Sequence, residues 1–169
     1  KDKVDTLITI PNDRLLQNAT KNTSMLQAFQ MADTVLLHGI QGISSLITQR
    51  GLINVDFADV KAIMQQAGSA LMAIGVGNGD NRMVDAVNQA IASPLLEVSI
   101  DGAKGVLFNV TGSEDLGLLE IYEAADIVAK AVDPDANIIV GAVIDPTFPS
   151  GQVKITLIAT GFDATKPNV

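Results

Sequence analysis

Residues 105–144 read GVLFNVTGSEDLGLLEIYEAADIVAKAVDPDANIIVGAVI, and their pattern decides the class of fold. The run GVLFNVTG, 105–112, is apolar and interrupted by nothing that would favour a helix, so it reads as a strand with Val106, Phe108 and Val110 facing inward. Residues 115–132 follow as a helix and ANIIVGAVI, 136–144, as a second strand. A strand, a helix and a strand in forty residues point to a sheet with helices packed on it.

Working outward, GQVKITLIATG, 151–161, is another strand. Only the turn DPTFPSG separates it from 136–144, so the two are expected to form a hairpin. Upstream, SALMAIGVG, 69–77, reads as a strand and NRMVDAVNQAIAS, 81–93, as a helix stopped by Pro94. EVSI, 97–100, has the composition of a short strand. The expected fold is α/β (α+β): a mixed sheet of four strands with helices packed on one face.

Ahead of the sheet lies DFADVKAIMQQ, 56–66, a short amphipathic helix, and before it a long one from Ser24 to Thr48. There Met25, Leu26, Phe29, Ala32, Leu36, Ile40, Ile43 and Ile47 recur at three- and four-residue steps. A helix of that length spans roughly 37 Å. Gly39 and Gly42 interrupt it, each at a cost of about 1 kcal/mol relative to alanine if exposed, which suggests close packing or a cleft. VDTLITIP, 4–11, is a strand stopped by Pro11, followed by the loop NDRLLQNATKN. It has no obvious partner in the chain. A lone strand exposes unpaired backbone groups, so its sheet is expected to lie in another polypeptide.

Composition excludes several classes of function. The chain has 169 residues, of which 47% are apolar, enough for a real core in one domain or slightly more. Eleven basic residues against 19 acidic ones leave a net charge of −8, which repels a phosphate backbone and argues against nucleic acid. There is no cysteine, hence no disulfide or thiolate metal site, and a single histidine, His38, makes a His-rich metal centre improbable. No apolar run approaches the ~20 residues of a membrane span, and the start does not read as a signal peptide.

The motif that raises a chemical question is GLINVDFADV, 51–60. Asp56 and Asp59 suit a helix N-cap and its reciprocal partner at the third helical position, and spacing alone favours that reading. A carboxylate in the same place can also orient an attacking water or accept its proton. GVGNGD, 75–80, sits between strand and helix, where phosphate loops lie, but lacks both the dinucleotide fingerprint and a following Lys-Ser/Thr. Turn chemistry at Gly77, Asn78 and Gly79 accounts for it. Asp33, one step beyond the apolar stripe of the long helix and a turn from Phe29, is either a solvated acid beside an aromatic or a purine-binding pair. Glu114, Asp115, Glu120 and Glu123 look like a helix start and its wet face.

GLINVDFADV after a long helix, followed by GSALMAIGVG, resembles the C-terminal half of FtsZ, the bacterial tubulin-like cell-division GTPase family. DTLITIPNDRLL, AFQMADTVL, GVLFNVTG and LIATGF extend the resemblance over nearly the whole chain. It implies that 1–23 is the last strand and loop of an N-terminal GTP-binding domain. Residues 24–50 are then the central helix, 51–59 the synergy loop, 60–162 the GTPase-activating domain and 163–169 the start of a flexible tail. The phosphate loop of the family is not found in this sequence, so GTP or GDP, with Mg, would be held elsewhere and bound weakly here.

In the family the synergy loop enters the nucleotide site of the next subunit in a head-to-tail filament. The resemblance therefore implies that Asn54, Asp56 and Asp59 act in trans, the aspartates polarising the water that attacks the γ-phosphate. It places Asn12, Phe29 and Asp33 at the guanosine end of the nucleotide of the same subunit, and Gly39, Gly42, Asn109 and Val143 in the wall of a known inhibitor cleft. The expected partners are further copies and the N-terminal half, in the cytoplasm at the mid-cell division site, with no direct membrane binding. Division proteins that read the family's C-terminal peptide are not expected to be served. The alternative is a non-catalytic interaction domain that caps or regulates filaments.

Overall fold

The computed structural model describes residues 3–10, 23–49, 51–93, 96 and 100–162. Asn12, the tail from 163 and residues 97–99 of the EVSI segment lie outside them. In chain order the elements are β1 (Thr6–Ile8), α1 (Met25–Thr48), α2 (Phe57–Met64), β2 (Gly68–Asn78), α3 (Arg82–Ile91), β3 (Gly105–Gly112), α4 (Leu118–Ala131), β4 (Asn137–Ile144) and β5 (Gln152–Thr160).

The strands form one mixed sheet in the order β1-β2-β5-β3-β4. It has five strands rather than four, because β1 pairs in parallel with β2 over Thr6↔Gly68, Leu7↔Ser69 and Ile8↔Ala70. The first strand thus finds a partner within the chain after all, on an edge that β2 would otherwise leave open. Nor do β4 and β5 form a hairpin. β5 runs antiparallel between β2 and β3, while β4 lies parallel to β3 at the far edge. Burial explains the choice: six consecutive residues of β5, Ile155–Thr160, are buried, on both faces of the sheet, whereas β4 begins exposed and is only half-buried before Gly141.

Helices α3 and α4 cover one face of the sheet, as expected. Their core unites Met83, Val87, Ile121 and Val128 with Val106, Phe108, Val110, Ile155 and Leu157. Each such buried side chain contributes about 2–3 kcal/mol relative to exposure. The opposite face is not bare: Leu46 of α1 and Val60 and Ile63 of α2 pack there on Met72, Leu107 and Ile158.

Gly75 and Gly77 belong to β2 itself, and α3 crosses them backbone to backbone. A Cβ on Gly77 would stand 1.7 Å from the Arg82 carbonyl oxygen, and one on Gly75 1.9 Å from that of Ala86. Of Gly77, Asn78 and Gly79 only Gly79 has a positive φ, 77°. The glycine pattern therefore serves helix packing more than turn formation.

α1 is closed at its start by a capping box: Ser24 Oγ accepts from Gln27 N–H at 3.2 Å and Gln27 Oε1 from Ser24 N–H at 2.8 Å. Most of its apolar stripe, however, does not face this core, although Ile43 packs against it. Leu26, Phe29 and Ile40 are 68%, 63% and 60% exposed, and the buried residues are Gly39, Gly42 and Leu46. The helix approaches the sheet on its glycines, with Met72 filling the space beside Gly39 and Thr156 that beside Gly42.

Candidate functional site

After α1 the chain crosses the outer edge of β4 in an extended conformation. Ile53 makes an antiparallel bridge to Ala142, donating to its carbonyl at 3.4 Å and accepting from its N–H at 3.1 Å. Gly51 is pressed so closely on the Ala142 carbonyl that a Cβ would stand 1.9 Å from the oxygen. Side chains alternate along this stretch. Val55 is buried beside Gly141, whereas Asn54 and Asp56 are exposed. Asn54 Oδ1 accepts from Gly51 N–H at 2.9 Å and closes the loop on itself.

Asp56 then caps α2. Its Oδ1 accepts from Asp59 N–H at 2.8 Å, and Asp59 Oδ2 accepts from Asp56 N–H at 3.3 Å. One geometry therefore makes the cap and leaves both acids exposed. Each carboxylate uses one oxygen on the backbone and keeps further lone pairs for a partner outside the molecule. Leu52 and Phe57, 48% and 65% exposed, flank the three polar groups with apolar surface. Two carboxylates held in one helical turn can accept protons or orient a water. The described residues contain no group of three His, Cys, Asp or Glu side chains that could hold a metal ion. GVGNGD offers no phosphate cradle, since Gly75 and Gly77 are filled by α3.

Phe29 and Asp33 lie four residues apart on the exposed side of α1, well away from any core. Asn12 lies outside the described residues. Gly39, Gly42 and Asn109 gather where α1 meets the sheet, and Val143 lies in β4. Gly42 borders a cavity of about 280 Å³, shared with Ile40, Thr111, Lys154 and Thr156, while Asn109 and Val143 are buried. Asn109 Nδ2 donates to the Gly42 carbonyl at 3.5 Å, and its Oδ1 has no hydrogen-bond partner among the described residues. His38 is half-buried, and burial together with the charge of Lys154 lowers its pKa.

A cluster that sequence reading missed ties the turns at the C-terminal ends of β2, β3 and β4. Arg82 is buried and forks onto Glu120 at 2.6 and 3.0 Å, while its Nη1 reaches Asp115 at 2.9 Å. Asp115 also accepts from Ser113 Oγ, from Gly151 N–H at 2.8 Å and from Ser150 Oγ at 3.2 Å. These donors hold its carboxyl well below the usual range. Burial alone would raise Glu120, but hydrogen bonds from Arg82 and the Gly117 N–H, with the Arg82 charge, bring it below its ordinary value. Hydrogen bonding to Glu120 leads the rise of Arg82. Nothing local announces this cluster, because Arg82 lies more than thirty residues from Asp115 and Glu120, and Ser150 and Gly151 lie as far again from Asp115.

Arg82→Met is expected to lower stability by about 2–3 kcal/mol at neutral pH, less than for a fully buried pair because Asp115 is part exposed. Asp115 is more acidic folded than unfolded, so its contribution is complete above the unfolded carboxylate pKa. It is lost as pH falls from about 4 through the lower folded value. Denaturant unfolding from pH 7 down to pH 2 should show a smaller acid loss in Asp115→Asn than in the parent.

A family model described as "FtsZ family, C-terminal domain" matches residues 68–163. Among solved structures, the empty FtsZ dimer of M. jannaschii is similar at 46% identity with a TM-score of 0.87, covering 93% of this chain and 45% of that one. A mutant of the same protein gives 46% and 0.88, covering 94% and 47%. CetZ2 from Haloferax volcanii, described as a GTPγS-bound protofilament, shares the fold at 14% identity and a TM-score of 0.70, covering 96% and 48%. The chain thus spans about half the length of the structures it matches.

Proposed function

The chain belongs to the FtsZ family of filament-forming, tubulin-like GTPases, and on that premise we propose that it is the half that activates GTP hydrolysis on a neighbouring subunit. The observation that carries the proposal is the exposure of Asn54, Asp56 and Asp59 on a tip latched to β4 by the Ile53–Ala142 bridge. Groups that act on a ligand held by another molecule must project without being mobile, and a backbone bridge plus a reciprocal cap gives both properties. In this reading the nucleotide and its Mg are held by the next subunit, the two aspartates orient and deprotonate the attacking water, and Asn54 shapes the contact.

The same reading gives the exposed side of α1 a purpose. Met25, Leu26, Phe29, Leu36, Leu37 and Ile40 form an apolar face more than half exposed along its length. A nucleotide-binding portion would cover it, with Phe29 stacked on the guanine and Asp33 accepting two of its N–H groups, joined by Asn12. The cavity beside Gly42 would be the cleft that takes inhibitors, although Gly39, Asn109 and Val143 are not among the residues that line it. Location in the cytoplasm at the division site belongs to the same proposal. No helix among the described residues is long and apolar enough to cross a membrane.

The purified chain is expected to show no GTP turnover alone and to raise turnover when mixed with a nucleotide-binding half of the family. Turnover by the chain alone, measured as phosphate release, would refute the reading. Sub-stoichiometric inhibition of filament assembly, without a gain in turnover, would favour a capping or regulatory domain instead.

A further inference from the structure

We propose that Asp5 and Thr6 are positioning residues for the acidic tip. The three-residue strand β1 clamps the far end of the helix that carries Asp56 and Asp59. This rests on the in-trans reading above and adds to it the element that sets where the carboxylates stand.

α2 has eight residues, a rigid rod of roughly 12 Å with the acids at its start. Its last carbonyls have no partner inside the helix. Thr6 Oγ1 donates to one of them, that of Met64. The chain then turns from helix into β2 within four residues, and the turn passes through Gln66 at φ 53°, the one described residue other than glycine with a positive φ. A backbone in that region persists only where its surroundings over-determine it.

Asp5 supplies that determination. Its Oδ1 accepts from Gln66 N–H at 3.2 Å and its carbonyl from Gly68 N–H at 2.9 Å. The side face of α2 is fixed separately, by Val60 and Ile63 in the core and by Thr160 Oγ1 donating to the Ile63 carbonyl at 3.2 Å. What Asp5 and Thr6 add is an end stop along the helix axis. β1 comes just ahead of α1, in the segment assigned above to the nucleotide-binding portion. The clamp would thus tie the half that holds one GTP to the helix that serves the neighbour's.

The test uses the intact protein, nucleotide-binding portion included. The double variant Asp5→Ala/Thr6→Val removes both side-chain contacts, while Asp5→Asn/Thr6→Ser keeps an accepting oxygen and a hydroxyl. The first should lower kcat in filaments about tenfold, since displacements near 1 Å are enough to do so, with KM, nucleotide affinity and pelleted filament mass unchanged. The second should restore it. Equal turnover in the first variant and the parent, or no recovery in the second, overturns the proposal. If the double variant fails to fold, Thr6→Val against Thr6→Ser carries the same readout. Asp59→Asn run in parallel separates the two levels. Retained turnover there sinks the in-trans reading itself, whereas lost turnover there with unslowed clamp variants sinks only this inference.

Discussion

Asp56→Asn and Asp59→Asn, made singly in the intact protein, should each lower GTP turnover about a hundredfold or more while nucleotide binding stays as in the parent. Asparagine is the informative replacement because it separates two roles that one geometry serves. Its side-chain oxygen can still accept the backbone N–H that each aspartate now holds, at 2.8 and 3.3 Å. Asn and Asp are nearly equal as caps, so the thermal midpoint should move by no more than about 2 °C. What asparagine cannot do is carry a charge or take a proton from water. If these acids only start α2, turnover will survive the change. If it falls and stability does not, the acids are chemical groups. Mixing each variant with a parent whose own nucleotide site is disabled should restore part of the turnover, because GTP held by the variant then meets the intact acids of its partner; a loss that persists in the mixture would mean that the acids serve their own subunit.

The largest structural effect is expected at Gly77. Alanine there places a methyl carbon 1.7 Å from the carbonyl oxygen of Arg82 and 2.6 Å from its carbonyl carbon. These are backbone atoms, so no rotamer change relieves the clash, and α3 must lift from β2. Lifting α3 withdraws Met83 and Val87 from the core and pulls Arg82 from Asp115 and Glu120. A loss of about 3 kcal/mol or more is expected. Gly79→Ala is the contrast: nothing among the described residues lies within 4 Å of its Cβ position, and a φ of 77° opposes the side chain at a cost of about 1 kcal/mol. Urea unfolding of the two variants should rank them widely apart. Similar midpoints would mean that α3 does not press on β2 as described.

Much of this molecule was legible before folding. The three-four spacing in α1, the apolar runs of β2 to β5 and the Asp56–Asp59 spacing are signals written within a few residues, and each of the elements described formed within three residues of its expected bounds. The cap at Asp56 was legible for the same reason: donor and acceptor are three residues apart. Where the reading went astray, the deciding contact was distant. The β4–β5 hairpin was expected because the strands are close in sequence, yet β5 is buried on both faces and so took the centre of the sheet. β1 seemed partnerless because its partner lies some sixty residues on. Periodicity reveals that α1 has an apolar side but not what covers it, and most of that side stands exposed.

Local chemistry, then, determines where helices and strands begin and end here, and it marks the two aspartates as a capping pair. Strand order, the latch of Ile53 on Ala142, the clamp of β1 on α2 and the Arg82 cluster were decided only when the chain closed on itself. The reason is physical. Hydrogen bonds and steric limits within one turn act at fixed sequence spacing, whereas close packing and buried charge pairing depend on which distant residues the sheet brings together.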